Sequence, residues 1–231
     1  MFCIKCGAPL PEDACFCFKC GCDLMNLNQS ACSGDSFVDV GDYVKFGNYP
    51  QNSESAKEPI EWLVLEVNEK EALLISHYGF DCKQYHHERV SMTWEQCDLR
   101  KWLNQDFLKV AFTEEEQRRI KLSEVVNDDN REYSTRGGNN THDRVFCLSL
   151  AEAERYFKNG GERRCQPTAH ARTQGTWVDN GNGCCCWWLR SPGDFQDYAS
   201  LVDSDGALYP NGGVDGDDLA VRPALRLIWN L

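Results

Sequence analysis

The sequence predicts an α+β domain preceded by a small four-cysteine metal module. Paired cysteines open the chain, apolar runs of strand length alternate with segments bearing helix-start signatures, and the C-terminal part turns β-like and glycine-rich. With 231 residues and 42% hydrophobic content, the chain can bury one sizeable core beside a small module.

The module comes first, over residues 1–24. Cys3, Cys6, Cys17 and Cys20 form C-x2-C-x10-C-x2-C, and Gly7 and Gly21 directly follow the two pairs. Four thiolates arranged as a tetrahedron select structural Zn2+ and leave no open coordination position. Residues 2–21, FCIKCGAPLPEDACFCFKCG, resemble the short zinc ribbons at the N-termini of many bacterial proteins. Cys15 and Cys22 are extra, either bystanders or competitors for ligation. Of the 14 cysteines, six crowd into residues 3–22, which reduced thiols and a metal explain better than disulfides.

The net charge of −12 and pI near 4.9 oppose nucleic acid and anionic membranes as a long-range average. No apolar run reaches the roughly 18 residues of a membrane helix, and the N-terminus lacks a secretory pattern, so a cytoplasmic chain is expected. No heptad or apolar stripe decides an oligomeric state.

Residues 25–39 are polar and aperiodic and read as a linker, so the main domain is expected over residues 40–231. DYVKFGNYP reads as a strand, and Ile60–Val67 and Ala72–Ser76 form a hairpin around Asn68–Lys70. Thr93 with Gln96 suggests a helix start ahead of Leu99, Trp102, Leu103 and Phe107. Thr113 with Glu116 opens a second helix to about Lys121, and Ser149 with Glu152 a third to about Phe157. Residues 127–144 read as a long polar loop. From Leu201 the chain falls into six-residue units, LVDSDG, ALYPNG, GVDGDD and LAVRPA. Short strands joined by tight turns are expected there, with Val202, Leu208, Val214 and Ala220 pointing inward.

VKFGNYP, IEWLVLE, LLISHYGFD, LRKWLN, LSLAEAERYF, WWLRSPG and VRPALRL together resemble a bacterial family related to C-type lectin folds of the formylglycine-generating-enzyme type. The C-terminal part is similar to the variable proteins of diversity-generating retroelements, whose adenine-specific mutagenesis rewrites codons near the end of the gene. The resemblance implies a non-catalytic binder on a fixed scaffold, with a macromolecular ligand, a protein first among the expectations. Randomised AAC or AAT codons never yield Lys, Glu, Met or Trp, and residues 194–219 contain none of these but seven Asp. Gln196 is an exception that needs a different template codon. Turn chemistry, which favours Asp, Gly and Asn for its own reasons, is the competing account.

On this reading Trp187, Trp188, Leu189, Val221 and Leu225 anchor the segment, and Ala199, Val202, Gly206, Leu208, Gly212 and Val214 are its framework. The positions expected to form the binding surface are Asp194, Phe195, Gln196, Asp197, Tyr198, Leu201, Asp203, Ser204, Ala207, Tyr209, Pro210, Asn211, Gly213, Asp215, Asp217, Asp218 and Leu219. Phe195, Tyr198 and Tyr209 are the expected energetic anchors, because aromatics offer large contact area at low entropic cost.

Two rivals stay open. The related fold hosts a copper-dependent oxidase with a matched cysteine pair, but Cys184, Cys185 and Cys186 are consecutive and would alternate in direction on a strand. Asp203, Asp205, Asp215 and Asp217 could build a loose calcium cage, although an EF-hand is excluded by Leu201 and Gly212 at ligand positions. His86 and His87 read as a solvated turn, and Arg190 and Arg222 as structural fasteners of the segment's ends.

Overall fold

The computed structural model describes residues 38–52 and 56–228, with residues 8, 9 and 19 of the N-terminal part. The expected zinc ligands Cys3, Cys6, Cys17 and Cys20 lie outside the described residues, as does most of the linker. Val38, placed in that linker by the sequence, is buried in the main core, so the domain begins slightly earlier than Val40.

The first sheet runs β1 (Tyr43–Pro50), β2 (Lys57–Val67), β3 (Glu71–Ser76), β12 (Ala224–Ile228) and β7 (Val145–Phe146) in spatial order, with all pairings antiparallel. The predicted hairpin is β2–β3, closed by Asn68 Oδ1, which accepts from the Lys70 and Glu71 amides at 2.9 and 3.1 Å. β3 is buried at every position but its first, as an interior strand covered on both faces requires. The C-terminal strand β12 sits between β3 and β7.

The second sheet runs β10 (Leu208–Gly213), β9 (Tyr198–Val202), β8 (Trp187–Pro192), β11 (Ala220–Val221) and β4 (Asp81–Cys82). Only the β8–β11 contact is parallel. β5 (Ser123–Val125) and β6 (Thr141–Asp143) form a separate ribbon, so the expected polar loop 127–144 ends in a strand. Four tryptophans, Trp62, Trp94, Trp187 and Trp188, are fully buried. Each finds a partner for its indole N–H: Phe46 O at 2.8 Å, Asp143 Oδ2 at 2.9 Å, Arg163 O at 3.1 Å and Lys83 O at 2.8 Å.

α1 (Asp98–Trp102) passes through a π-helical turn, Leu103–Phe107, into α2 (Leu108–Ala111), turning Leu99, Leu103, Phe107 and Leu108 inward. The helix starts later than its sequence signature suggests. Thr93 O accepts from the Gln96 and Cys97 amides in a single turn, then Cys97 becomes extended and its Sγ caps Arg100 N. Tertiary bonds override the capping pattern: Trp94 reaches into Asp143, and the Leu99 amide donates to Tyr85 O at 3.1 Å.

α3 (Glu114–Arg119) and α4 (Leu150–Tyr156) carry the predicted reciprocal capping boxes on Thr113–Glu116 and Ser149–Glu152. α3 stops short of Lys121 because Ile120 bridges Leu227 and the Lys121 amide donates to Arg226 O. α5 (Gly160–Arg163) and α6 (Ala169–Thr173) are single short turns, capped by Asn159 and Thr168. The architecture is α+β, and among the described residues no helix is long and apolar enough to cross a membrane.

Candidate ligand-binding site

Residues 194–219 form a loop, the β9–β10 hairpin and a second loop, hung between two buried arginines. Arg190 donates to Val126 O and Cys147 O and pairs with Glu152, whose Oε2 also accepts the Ser149 amide of the α4 capping box. Arg222 donates to Ser76 O at 3.0 Å and Arg163 O at 3.2 Å, with its guanidinium 5.0 Å from the Trp187 ring centre. The expected anchors Trp187, Trp188, Leu189, Val221 and Leu225 are all buried. Both ends of the segment are therefore fixed to backbone carbonyls and packed rings.

Between those ends burial alternates. Ala199, Val202, Gly206, Gly212 and Val214 are buried as framework, whereas Leu208 is only half-buried. Gly206 has φ +87° and closes the hairpin turn by donating to Asp203 O at 2.8 Å. Phe195 is 63% exposed and Tyr209 41%, and Asn211, Asp217 and Asp218 are also exposed. Asp194, Asp197, Tyr198, Asp203, Ala207, Pro210, Gly213 and Asp215 are half-buried.

Three expected surface positions are corrected. Leu201, Ser204 and Leu219 are buried, so they belong to the scaffold. Leu201 is paired with Trp188 and Tyr209 across the sheet, and its side chain adjoins Gly212. Gln196 is half-buried and acts as a strut. Its Nε2 donates to Met92 O at 3.0 Å and Arg136 O at 2.9 Å, and its Oε1 accepts the Arg136 amide at 2.9 Å.

The rim contains residues that sequence spacing did not single out. Arg89 donates to Asp197 Oδ2 at 2.9 Å and lies 4.5 Å from the Tyr198 ring centre, while Phe195 and Tyr198 are 5.7 Å apart. Trp177, 47% exposed, has its amide on Asp218 O, which adds an aromatic beside the acidic end.

The bend at residues 85–88 backs this rim. Gln84 Nε2 donates to Asp215 O and the His86 amide to Val214 O, both at 2.8 Å. His86 and His87 are not simply solvated: each Nδ1 approaches Asp98 Oδ2, at 2.8 and 2.5 Å. Burial works against ionisation of Asp98, but hydrogen bonds from His87 and Lys101 and the nearby His86 hold its carboxyl well below the ordinary range.

The calcium cage does not assemble. Asp203 Oδ1 accepts from the Ser204 amide and the Cys186 thiol, and Asp205 Oδ1 from the Ala207 amide. Among the described residues the acidic side chains of this segment form no converging metal-ligand group.

Cys184, Cys185 and Cys186 precede β8 rather than lying on it. Cys185 is buried against Cys165, its amide and thiol both directed to Cys165 O at 2.8 and 3.3 Å. Its hydrogen bond to Cys165, and then burial, push the Cys185 thiol up. Cys184 lines a separate cleft of about 720 Å³ with His77, Tyr78, Arg164, Gln166 and Arg222. The described cysteines form no disulfide.

These features define an α+β domain that presents an exposed loop-and-hairpin segment between rigid anchors. A family model described as a domain of unknown function, DUF6273, matches residues 69–229, and the chain belongs to that family. No curated protein and no solved structure matches it.

Proposed function

We propose that this chain is a non-catalytic ligand-binding protein whose main domain is of C-type lectin type, related to formylglycine-generating enzymes and to retroelement variable proteins, with an N-terminal zinc ribbon. Residues 194–219 display the binding surface, and the ligand is a macromolecule, most simply a protein. The observation that carries the reading is the alternation across this segment. Exposed Phe195, Tyr209, Asn211, Asp217 and Asp218 stand over buried Ala199, Val202, Gly212 and Val214, between ends fixed by Arg190 and Arg222. Side chains on such a strip can change without loss of the core.

The test is a library randomised at those five exposed positions, sorted for folded protein and for binding to a panel of proteins. Retention of folding by most members, with distinct binders recovered from the panel, is expected; general loss of folding would refute the display reading. A nearby copy of the final coding stretch differing mainly at adenines would add diversification to display.

The buried Cys165–Cys185 contact near a cleft favours the oxidase as second reading. Copper-dependent oxidation of a cysteine peptide by the purified chain, lost in Cys185→Ser, would put that reading first.

A further inference from the structure

Behind the rim lies a group of side chains that ligand display does not use. We infer that His86, His87 and Asp98 form a binding site for a divalent transition ion of the zinc and nickel class. One ligand atom from each residue lies within 4.8 Å of the others, and both imidazole Nδ1 atoms converge on the same carboxylate oxygen.

One proton accounts for the contact between His87 and Asp98 but leaves the His86 nitrogen without a partner. Asp98 Oδ2 accepts from the His87 amide at 3.3 Å and contacts His87 Nδ1 at 2.5 Å, while its Oδ1 holds Lys101 at 3.1 Å. His86 Nδ1 is 2.8 Å from the same Oδ2, yet it is buried without a hydrogen-bond partner. The buried nitrogen faces a negative oxygen and a second imidazole whose ring centre is 4.4 Å from its own. With these atoms opened from hydrogen-bond to coordination spacing of about 3 Å, a divalent ion satisfies both nitrogens and the carboxylate together. Two imidazoles with one carboxylate suit zinc, nickel or cobalt(II) and suit calcium poorly.

The fold builds the site from both sides. Adjacent residues point apart on a strand, but the bend at 85–88 turns His86 and His87 to one side. Asp98 begins α1, and the Leu99 amide on Tyr85 O fastens that helix to the bend. Glu88 Oε1, 3.8 Å from His87 Nε2, is a carboxylate placed to orient that ring on binding. Lys101 opposes the ion and must swing away, which its exposed side chain permits. Three protein ligands leave positions for water or for a donor atom of a bound partner. The ion would stiffen the bend that carries Gln84, His86 and Arg89 against residues 197–215. The site does not depend on the display reading.

The test titrates Ni2+ into the full-length chain above the ordinary histidine pKa of about 6.5. Calorimetry gives stoichiometry and affinity, and NMR follows the histidine ring resonances. The same titration is run on Cys3→Ser/Cys20→Ser, so that binding by the N-terminal cysteines is counted separately. The expected result is one nickel that persists in the cysteine variant, broadens the His86 and His87 ring signals first, and binds at least about tenfold more weakly in His87→Ala and in Asp98→Asn. His87 is 64% exposed, so its removal leaves the fold intact, to be checked by circular dichroism. Unchanged affinity in folded His87→Ala, or first broadening at His142, would overturn the assignment.

Discussion

At the scale of single residues, Arg190 and Glu152 show how one ion pair joins two parts of the domain. Glu152 Oε2 serves the α4 capping box and Arg190 together, and the Arg190 amide donates to Leu148 O. Arg190→Ala removes the guanidinium partner of the Cys147 carbonyl and of Glu152, with an expected loss of about 3 kcal/mol in urea unfolding. Burial works against ionisation of Glu152, but Arg190 outweighs it and holds the carboxyl below its ordinary 4.5. A depressed folded pKa contributes stability above the unfolded pKa, and that contribution is lost as pH falls through the folded value. Glu152→Gln should therefore flatten the decline in stability on acidification below about pH 4.5, as thermal melts across that range would show. The two arginines were legible as fasteners because each stands beside a proline-containing anchor. The His86–His87–Asp98 group was not, because its carboxylate arrives from a helix start that the Thr93 signature misplaced.

At the scale of elements, the β9–β10 hairpin separates replaceable from fixed positions. Phe195→Ser and Tyr209→Ser, made singly, should each shift stability by no more than about 0.5 kcal/mol. Leu201→Ala should cost about 2–5 kcal/mol, because Leu201 is buried beneath the hairpin. Gly206→Ala should be worse tolerated than Ala207→Ser, since Gly206 has a positive φ and its added Cβ would meet the Gly160 carbonyl. Chemical denaturation of the five variants checks the ranking. The six-residue spacing located Val202, Val214 and Ala220 in the core, because an inward residue recurs once per short strand or turn. It could not show that Leu201 and Leu219 turn inward too, since Leu201 pairs across the sheet with Trp188, and Leu219 and Trp188 both adjoin Gly216. Capping boxes identified α3 and α4 because both reciprocal bonds are local. The helix at 98–111 was displaced because its first residues are committed to partners far along the chain.

At the scale of the whole molecule, the main core cluster begins at Val38, and Ala8, buried among the few described N-terminal residues, is not part of it. Cys3→Ser with Cys20→Ser should abolish tightly held zinc by elemental analysis yet leave the main thermal transition in place. Zinc retained by that double variant would overturn the four-cysteine assignment. The strand β12 lies inside the first sheet, paired on both edges, although it ends the described chain. It also lies downstream of every position in the exposed segment. A stop codon or frameshift arising anywhere in residues 194–219 would remove the strand that joins β3 to β7, leaving the sheet split and its interior edges open. Closure of the first sheet thus depends on translation in frame through residue 228, so truncated or frameshifted copies should remain unfolded and open to proteolysis, whereas in-frame substitutions should not.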